Sequence, residues 1–204
     1  MTKIKICGLT RKEDIRFVNE TMPDYIGFVF AESKRRVDFY SASKLKAQLH
    51  QSIKTVGVFV NEDINFIEKL CAEGIIDLIQ LHGNEDEAYI KRLREASDKP
   101  IIKAMRVNQK EDAADTTADF ALFDTYLKGQ YGGTGERFNW QLVKGYKKPF
   151  FLAGGLDYGN AAEAIKAVRP YCVDISSGIE TDGVKDKEKI SNIINLVRSV
   201  TGCE

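Results

Sequence analysis

Residues 149–180 read PFFLAGGLDYGNAAEAIKAVRPYCVDISSGIE. The stretch opens with an apolar run, Phe150-Phe151-Leu152-Ala153, halted by Gly154-Gly155. Ala161, Ala164, Ile165 and Val168 then fall at i, i+3, i+4 and i+7, which is one face of a helix, and Asn160 with Glu163 forms a capping-box pattern at its start. A second short run, 171–175, ends in Ser176-Ser177-Gly178. The order is strand, helix, strand, and each strand ends in small residues. Glycine lets a backbone approach a ligand closely, and N–H groups clustered beside a helix start favour an anion. Either turn alone would be an ordinary strand-to-helix connection. Two of them, one repeat apart, point to a phosphate grip.

The same unit recurs along the chain. Apolar, β-branched runs start near residues 3, 25, 54, 76, 100, 119, 149 and 171, seven intervals averaging 24 residues. Helical patterns fill most of the gaps. Thr10 with Glu13, and Asn84 with Glu87, form capping boxes ahead of Ile15 and Ile90; Ile64, Ile67 and Cys71 mark a further stripe, and Ile190, Ile193, Ile194 and Val197 the last. The sixth gap is the weakest, with only 138–146 available and Trp140 and Val143 as its apolar face. Strands alternating with helices imply a parallel sheet covered on both faces. Eight units without an internal linker predict one (β/α)₈ TIM barrel domain over residues 1–204, close to the lower size limit for that fold. A doubly wound open sheet competes, but the first strand is followed by Cys7-Gly8-Leu9-Thr10 instead of a G-x-G-x-x-G turn.

Composition narrows the function. Lys+Arg and Asp+Glu are equal at 30 each, which gives no electrostatic reason to expect a nucleic acid or a membrane surface as partner. Hydrophobic residues make up 43% and charged residues 29%, enough apolar surface for a buried core. No apolar run approaches the ~20 residues of a membrane span. The four cysteines, Cys7, Cys71, Cys172 and Cys203, lie far apart without a C-x-x-C pair, as expected of a reduced, cytoplasmic protein. No His/Cys/Asp cluster has metal spacing, so no metal is expected, and with only His50 and His82 no Ser–His–Asp set is convincing. A monomer is expected, with a homodimer the alternative.

In a barrel, ligands bind at the carboxyl ends of the strands. Strand one ends in Cys7 and strand six in Asp124, and these strands flank the seven–eight pair around a closed ring. Free cysteine usually packs a core and a lone aspartate usually caps a turn. Here a substrate held by its phosphate at strands seven and eight would have Cys7 on one side and Asp124 on the other, the layout of an acid and a base around a small sugar phosphate. Lys5 shares the parity of Cys7 and could lie beneath it; a buried pair with Asp174 of strand eight is the preferred reading. Arg35 or Arg36 could grip a carboxylate bidentately, with a solvated basic turn the alternative. His82 suits a packed imidazole as well as a ligand. Residues 128–136, with four glycines, suit a mobile lid or a plain connection.

These segments resemble the phosphoribosylanthranilate isomerase family of tryptophan biosynthesis. KICGLT (5–10), GFVF with SKRRV (27–37), VGVFVN (56–61), IQLHGNE (79–85), LFDT (122–125), YGGTGERFNW (131–140), FLAGGL (151–156) and VDISSGIE (173–180) stand in that family's order over nearly the whole chain. The resemblance implies a cofactor-free Amadori rearrangement of N-(5-phosphoribosyl)anthranilate to 1-(2-carboxyphenylamino)-1-deoxyribulose 5-phosphate. It implies Cys7 as general base at ribose C2 and Asp124 as general acid at the furanose oxygen. It further implies Arg35 at the anthranilate end, His82 in the substrate site, and Gly154, Gly155, Ser177 and Gly178 around the phosphate. From residues and spacing alone the reading stops at a sugar-phosphate isomerase, against a barrel that merely binds phosphorylated metabolites.

Overall fold

Successive side chains of a strand point to opposite faces, so a closed parallel sheet sorts its residues into an inner and an outer set. The computed structural model of the chain, described here for residues 1–125 and 139–202, shows this sorting. Eight parallel strands close a barrel: β1 (Lys3–Cys7), β2 (Tyr25–Val29), β3 (Lys54–Phe59), β4 (Leu78–Leu81), β5 (Ile101–Val107), β6 (Phe120–Thr125), β7 (Phe150–Leu152) and β8 (Cys172–Ile175). β1 pairs with β8, Lys5 opposite Asp174, to complete the ring. Tyr25, Val56, Leu78, Ile102, Leu122, Phe151 and Cys172 form one buried cluster in the amino-terminal interior. Ile4, Ile6, Phe28, Ile79 and Phe123 face outward, in a second cluster with the apolar stripes of the helices. Above the inner apolar layer the barrel turns polar, with Lys5, Gln80 and Asp174 all buried.

Among the described residues, six α-helices cover the outside: α1 (Lys12–Thr21), α2 (Phe39–Lys46), α3 (Ile64–Ala72), α4 (Glu87–Ala96), α5 (Ala161–Val168) and α6 (Lys187–Thr201). Among the described residues, two connections hold only a single 3-10 turn, Lys110–Asp112 after β5 and Trp140–Val143 before β7. The first of these joins a segment whose Thr116 and Thr117 are tied to the Glu87 carboxylate of α4 instead of entering a helix. The Gly-rich stretch 128–136, expected as a lid or a plain connection, lies outside the described residues.

The helix starts differ from the sequence pattern in an informative way. α1 is capped one residue later than the Thr10–Glu13 box: the carboxylate of buried Asp14 accepts from the N–H groups of Thr10 and Arg11 and also pairs with the Arg11 guanidinium. α4 is capped by Asp86, which accepts from the Tyr89 N–H, while Asn84 lies outside the helix in a turn where its N–H donates to the Asn61 side chain. Asn160 stands at the start of α5 but makes no cap. Its amide instead braces the preceding turn, accepting from the Asp157 N–H and donating to the Gly155 carbonyl.

Because Asp14 satisfies two orphan N–H groups from a buried position, Asp14→Ala should lower stability by about 1–2 kcal/mol, whereas Glu13→Ala should stay within about 0.5 kcal/mol of the parent. Urea unfolding of the two variants checks this; equal losses would return the cap to Glu13.

Candidate active site

The carboxyl ends of the strands surround a cavity of 280 Å³. Its lining includes Cys7 from β1, Arg35 from the β2 loop, Gln80 and His82 from β4, Asp124 from β6, Gly154 and Gly155 after β7, and Ser177 after β8. Parity brings the strand residues together, since Gln80 and Asp124 are the next inward positions above Leu78 and Leu122, and Cys7 is the next above Lys5; the others stand on the loops that follow the strands. Of the sequence-derived candidates, all but Gly178 line the cavity. Gly178 sits behind the wall, where a Cβ would come within 2.1 Å of the Leu156 carbonyl oxygen; it packs the β8 turn against the β7 turn.

Gly154 and Gly155 have φ of 84° and 65°, the left-handed region that favours glycine, so the β7 turn can fold back over the cavity. Among the described residues, the N–H groups of Gly154, Gly155 and Ser177 have no protein acceptor. Together they form two sets of donors from adjacent turns facing one space, an anion-binding geometry.

Cys7 closes β1 at 8% exposure. Gly27 on β2 makes room for it, because a Cβ there would lie 2.6 Å from the thiol sulfur. Burial pushes the thiol above its ordinary value, opposed by the ammonium groups of Lys5 and Lys185. The Lys5 ammonium is 2.7 Å from Asp174 Oδ2 and donates to Gln80 Oε1 at 2.8 Å. Burial opposes that charge, but Asp174 and the nearby Cys7 outweigh it and raise Lys5 above its ordinary value. The two readings of Lys5 are therefore compatible: it pairs with Asp174 and it lies beneath Cys7.

The two arginines of the β2 loop separate cleanly. Arg36 is exposed and pairs with Glu32, while Arg35 reaches into the cavity. Arg35 is held by a bidentate contact in which Nε and Nη2 donate to the Glu180 carboxylate at 2.7 and 2.8 Å. The buried Lys185 ammonium also reaches Glu180, at 2.7 Å, and donates to the Ser176 carbonyl. Burial alone would raise the Glu180 carboxyl, but Arg35 and Lys185 bring it from 4.5 to about 2.

Sequence reasoning missed Glu180 and Lys185. They sit on a two-stranded hairpin, β9 (Glu180–Thr181) and β10 (Val184–Lys185), turned by Asp182 and Gly183 with φ of 52° and 80°. Asp-Gly between two short extended segments is the signal of a type I′ hairpin, and it stands in the sequence. Lys103 of β5 is used structurally, donating to Glu85 and the Gly83 carbonyl.

His82 lies 3.3 Å from Asp124, Nε2 to Oδ2, and its Nδ1 is 2.9 Å from Gln80 Nε2. Among the described residues no group of three His, Cys, Asp or Glu side chains converges to hold a metal ion, and no helix is long and apolar enough to cross a membrane. The cavity thus offers a thiol and a carboxyl on either side of two donor-rich turns, with a guanidinium across from them. That set can bind a phosphorylated acid and move protons on the part in between.

Comparison with known proteins agrees. Residues 4–196 match the model of the family described as N-(5'phosphoribosyl)anthranilate (PRA) isomerase. The N-(5'-phosphoribosyl)anthranilate isomerase of Endomicrobium trichonymphae is 55% identical over 98% of this chain and 100% of its own length; that of Thermoanaerobacter sp. strain X514 is 46% identical over the same shares. Among solved structures, phosphoribosyl anthranilate isomerase from Thermotoga maritima superposes with a TM-score of 0.85 at 32% identity, covering 99% of this chain and 100% of that one. A further structure of such an isomerase, in complex with reduced 1-(o-carboxyphenylamino)-1-deoxyribulose 5-phosphate, superposes at 0.83. With a family model matched over residues 4–196 and a relative 55% identical over its whole length, this chain belongs to the N-(5'-phosphoribosyl)anthranilate isomerase family.

Proposed function

We propose that this protein isomerises N-(5-phosphoribosyl)anthranilate to 1-(2-carboxyphenylamino)-1-deoxyribulose 5-phosphate in L-tryptophan biosynthesis, with Asp124 as general acid and Cys7 as general base. The observation that carries the reading is that both side chains line the one cavity that also holds the paired turns after β7 and β8. The substrate phosphate would take the N–H groups of Gly154, Gly155 and Ser177, with Gly178 keeping the two turns in contact. This tether leaves the ribosyl ring between β6 and β1, and the anthranilate carboxylate towards Arg35.

Asp124 then gives its proton to the furanose ring oxygen. The C1–O bond breaks, and the nitrogen lone pair forms a C1–N double bond. The cationic Schiff base acidifies the proton on C2, and the Cys7 thiolate removes it. The electrons left on C2 form an enolamine, which tautomerises to the 2-ketone. Every step transfers a proton and none changes the oxidation state overall, so the residues present suffice and no cofactor enters.

Burial of Cys7 has a consequence for this role. The thiol is the resting form at neutral pH, and Lys5 and Lys185 supply the positive charge that its ionised form needs. A base made strong by burial but kept within reach of ionisation by two ammonium groups suits removal of a carbon-bound proton.

Among the described residues, the three free thiols at Cys7, Cys71 and Cys172 suit a reducing, cytoplasmic compartment. The exposed large apolar side chains among them, Met1, Tyr40, Tyr158 and Val184, lie on separate segments of the chain, which suits a monomer.

A continuous assay of loss of the fluorescent anthranilate substrate tests the activity, and a barrel that only binds its ligand would show none. Asp124→Asn should nearly abolish turnover while leaving the affinity for the reduced product analogue within about threefold, and Cys7→Ser should lose at least ~10²-fold in kcat. Full activity in either variant would remove that residue from the mechanism. Alkylation of Cys7 by iodoacetamide, followed by peptide mass spectrometry, should rise with pH around a midpoint above the ~8.5 of an ordinary thiol. In Lys185→Met the midpoint should move higher still; an unchanged midpoint would mean that Lys185 does not act on the thiol.

A further inference from the structure

Five buried or nearly buried side chains from four strands form one polar chain across the barrel: Asp174, Lys5, Gln80, His82 and Asp124. The successive contacts measure 2.7 Å from Asp174 Oδ2 to Lys5 Nζ, 2.8 Å from Lys5 Nζ to Gln80 Oε1, 2.9 Å from Gln80 Nε2 to His82 Nδ1 and 3.3 Å from His82 Nε2 to Asp124 Oδ2. Donor and acceptor roles along it are forced from one end. An ammonium group only donates, so the Gln80 carbonyl must face Lys5 and the Gln80 amide nitrogen must face the imidazole. That nitrogen is a donor, so His82 Nδ1 must present its lone pair. In a neutral imidazole the single proton then sits on Nε2, the nitrogen turned towards Asp124.

We propose that Gln80 is a positioning residue that locks His82 as the neutral Nε2–H tautomer, so that the imidazole can hydrogen-bond to Asp124 but cannot take its proton. The inference rests on the acid role proposed above for Asp124 and deepens it. In the opposite tautomer a basic lone pair would face the Asp124 carboxylic acid at 3.3 Å. The acid's proton would pass to Nε2, leaving a carboxylate beside an imidazolium and no proton for the furanose oxygen. With Nε2–H in place this leak is closed, and the same N–H is at hand for the carboxylate that forms when the proton leaves. In the resting geometry His82 Nε2 is buried and out of line for a hydrogen bond, so the donor is held ready without being spent on the acid.

The Gln80 contact also disfavours a proton on Nδ1. A proton on Nδ1 would set two donors face to face across 2.9 Å, and turning the Gln80 amide to relieve it would set the amide nitrogen against the Lys5 ammonium.

The test combines imidazole ¹⁵N NMR with kinetics, and two histidines in the whole chain keep the spectrum readable. In the parent protein at neutral pH, His82 should show a pyrrole-type Nε2 and a pyridine-type Nδ1. The reverse pattern, or an imidazolium, overturns the lock. Gln80→Glu replaces the donor facing Nδ1 with an acceptor that Lys5 can still bind. It should move the proton to Nδ1 or charge the ring, and lower kcat by at least ~10-fold with KM within about threefold. Gln80→Met, which offers neither donor nor acceptor strength, should give mixed tautomers and an intermediate kcat, and it serves should Gln80→Glu fail to fold. A tautomer change without loss of kcat would overturn the link to catalysis. If the parent protein has the predicted spectrum but does not turn over the substrate, the acid role has failed and the link to catalysis falls with it, while the tautomer assignment stands.

Discussion

A lysine ammonium with no exposure to water is the constraint on which the upper half of this barrel depends. Lys5 can stay charged there only because Asp174 lies 2.7 Å away and Gln80 gives it a second acceptor. Removing one partner of such a pair strands the other in a place water does not reach, a cost of about 3–5 kcal/mol. Replacing all three groups with apolar side chains would avoid that cost, and a barrel interior built only for stability has room for Val or Leu at these positions. What the polar layer supplies instead is orientation. It joins β1, β4 and β8 across the interior, sets a positive charge beneath Cys7, and turns the Gln80 amide nitrogen towards His82.

The mouth of the barrel is organised by a second set of charges on the opposite side. Arg35 comes from the β2 loop, Glu180 and Lys185 from the hairpin after β8, and the three meet over the end of β1. The hairpin is fastened further by Arg11, whose guanidinium donates to the Lys185 carbonyl. Cys7 is thus enclosed between two cationic clusters and the space left by Gly27, while Asp124 lines the same cavity beside His82. Two titratable groups set in environments of opposite character are what an acid/base pair requires.

Much of this was legible in the sequence because a closed parallel sheet leaves little freedom. Once eight apolar runs are counted, strand order fixes that strand eight neighbours strand one, and parity then pairs Lys5 with Asp174 and brings Cys7 and Asp124 to one rim. The helix caps were less legible. At α1 the pattern offers Glu13 and Asp14 as adjacent carboxylates, and which one turns inward is settled by burial against the β-barrel, not by local spacing. The sixth helix was correctly the weakest in pattern, and a single 3-10 turn is what Trp140 and Val143 sustain. The Glu180–Lys185 hairpin went unread although its Asp182-Gly183 turn is a strong local signal, because attention to the repeat treats everything between β8 and the last helix as connection. Gly178 was grouped with the phosphate turns by its place in the motif; only coordinates reveal that its missing Cβ makes space for a neighbouring carbonyl.

Arg35 raises a question of recognition that the charge arithmetic answers. Its Nε and Nη2 are occupied by Glu180, so an incoming carboxylate cannot take the same edge of the guanidinium and must use the remaining one. On its own, an arginine neutralised by a glutamate would attract a second anion weakly. Lys185 changes that balance, because Arg35, Lys185 and Glu180 together carry one net positive charge. The fork is then already fixed in direction before a ligand arrives, and little side-chain entropy remains to be lost on binding. Glu180 therefore trades some raw attraction for geometry. On the function proposed above, a planar aromatic carboxylate held at one edge of this fixed guanidinium, with its phosphate at the far turns, would have its ribosyl carbons between Cys7 and Asp124.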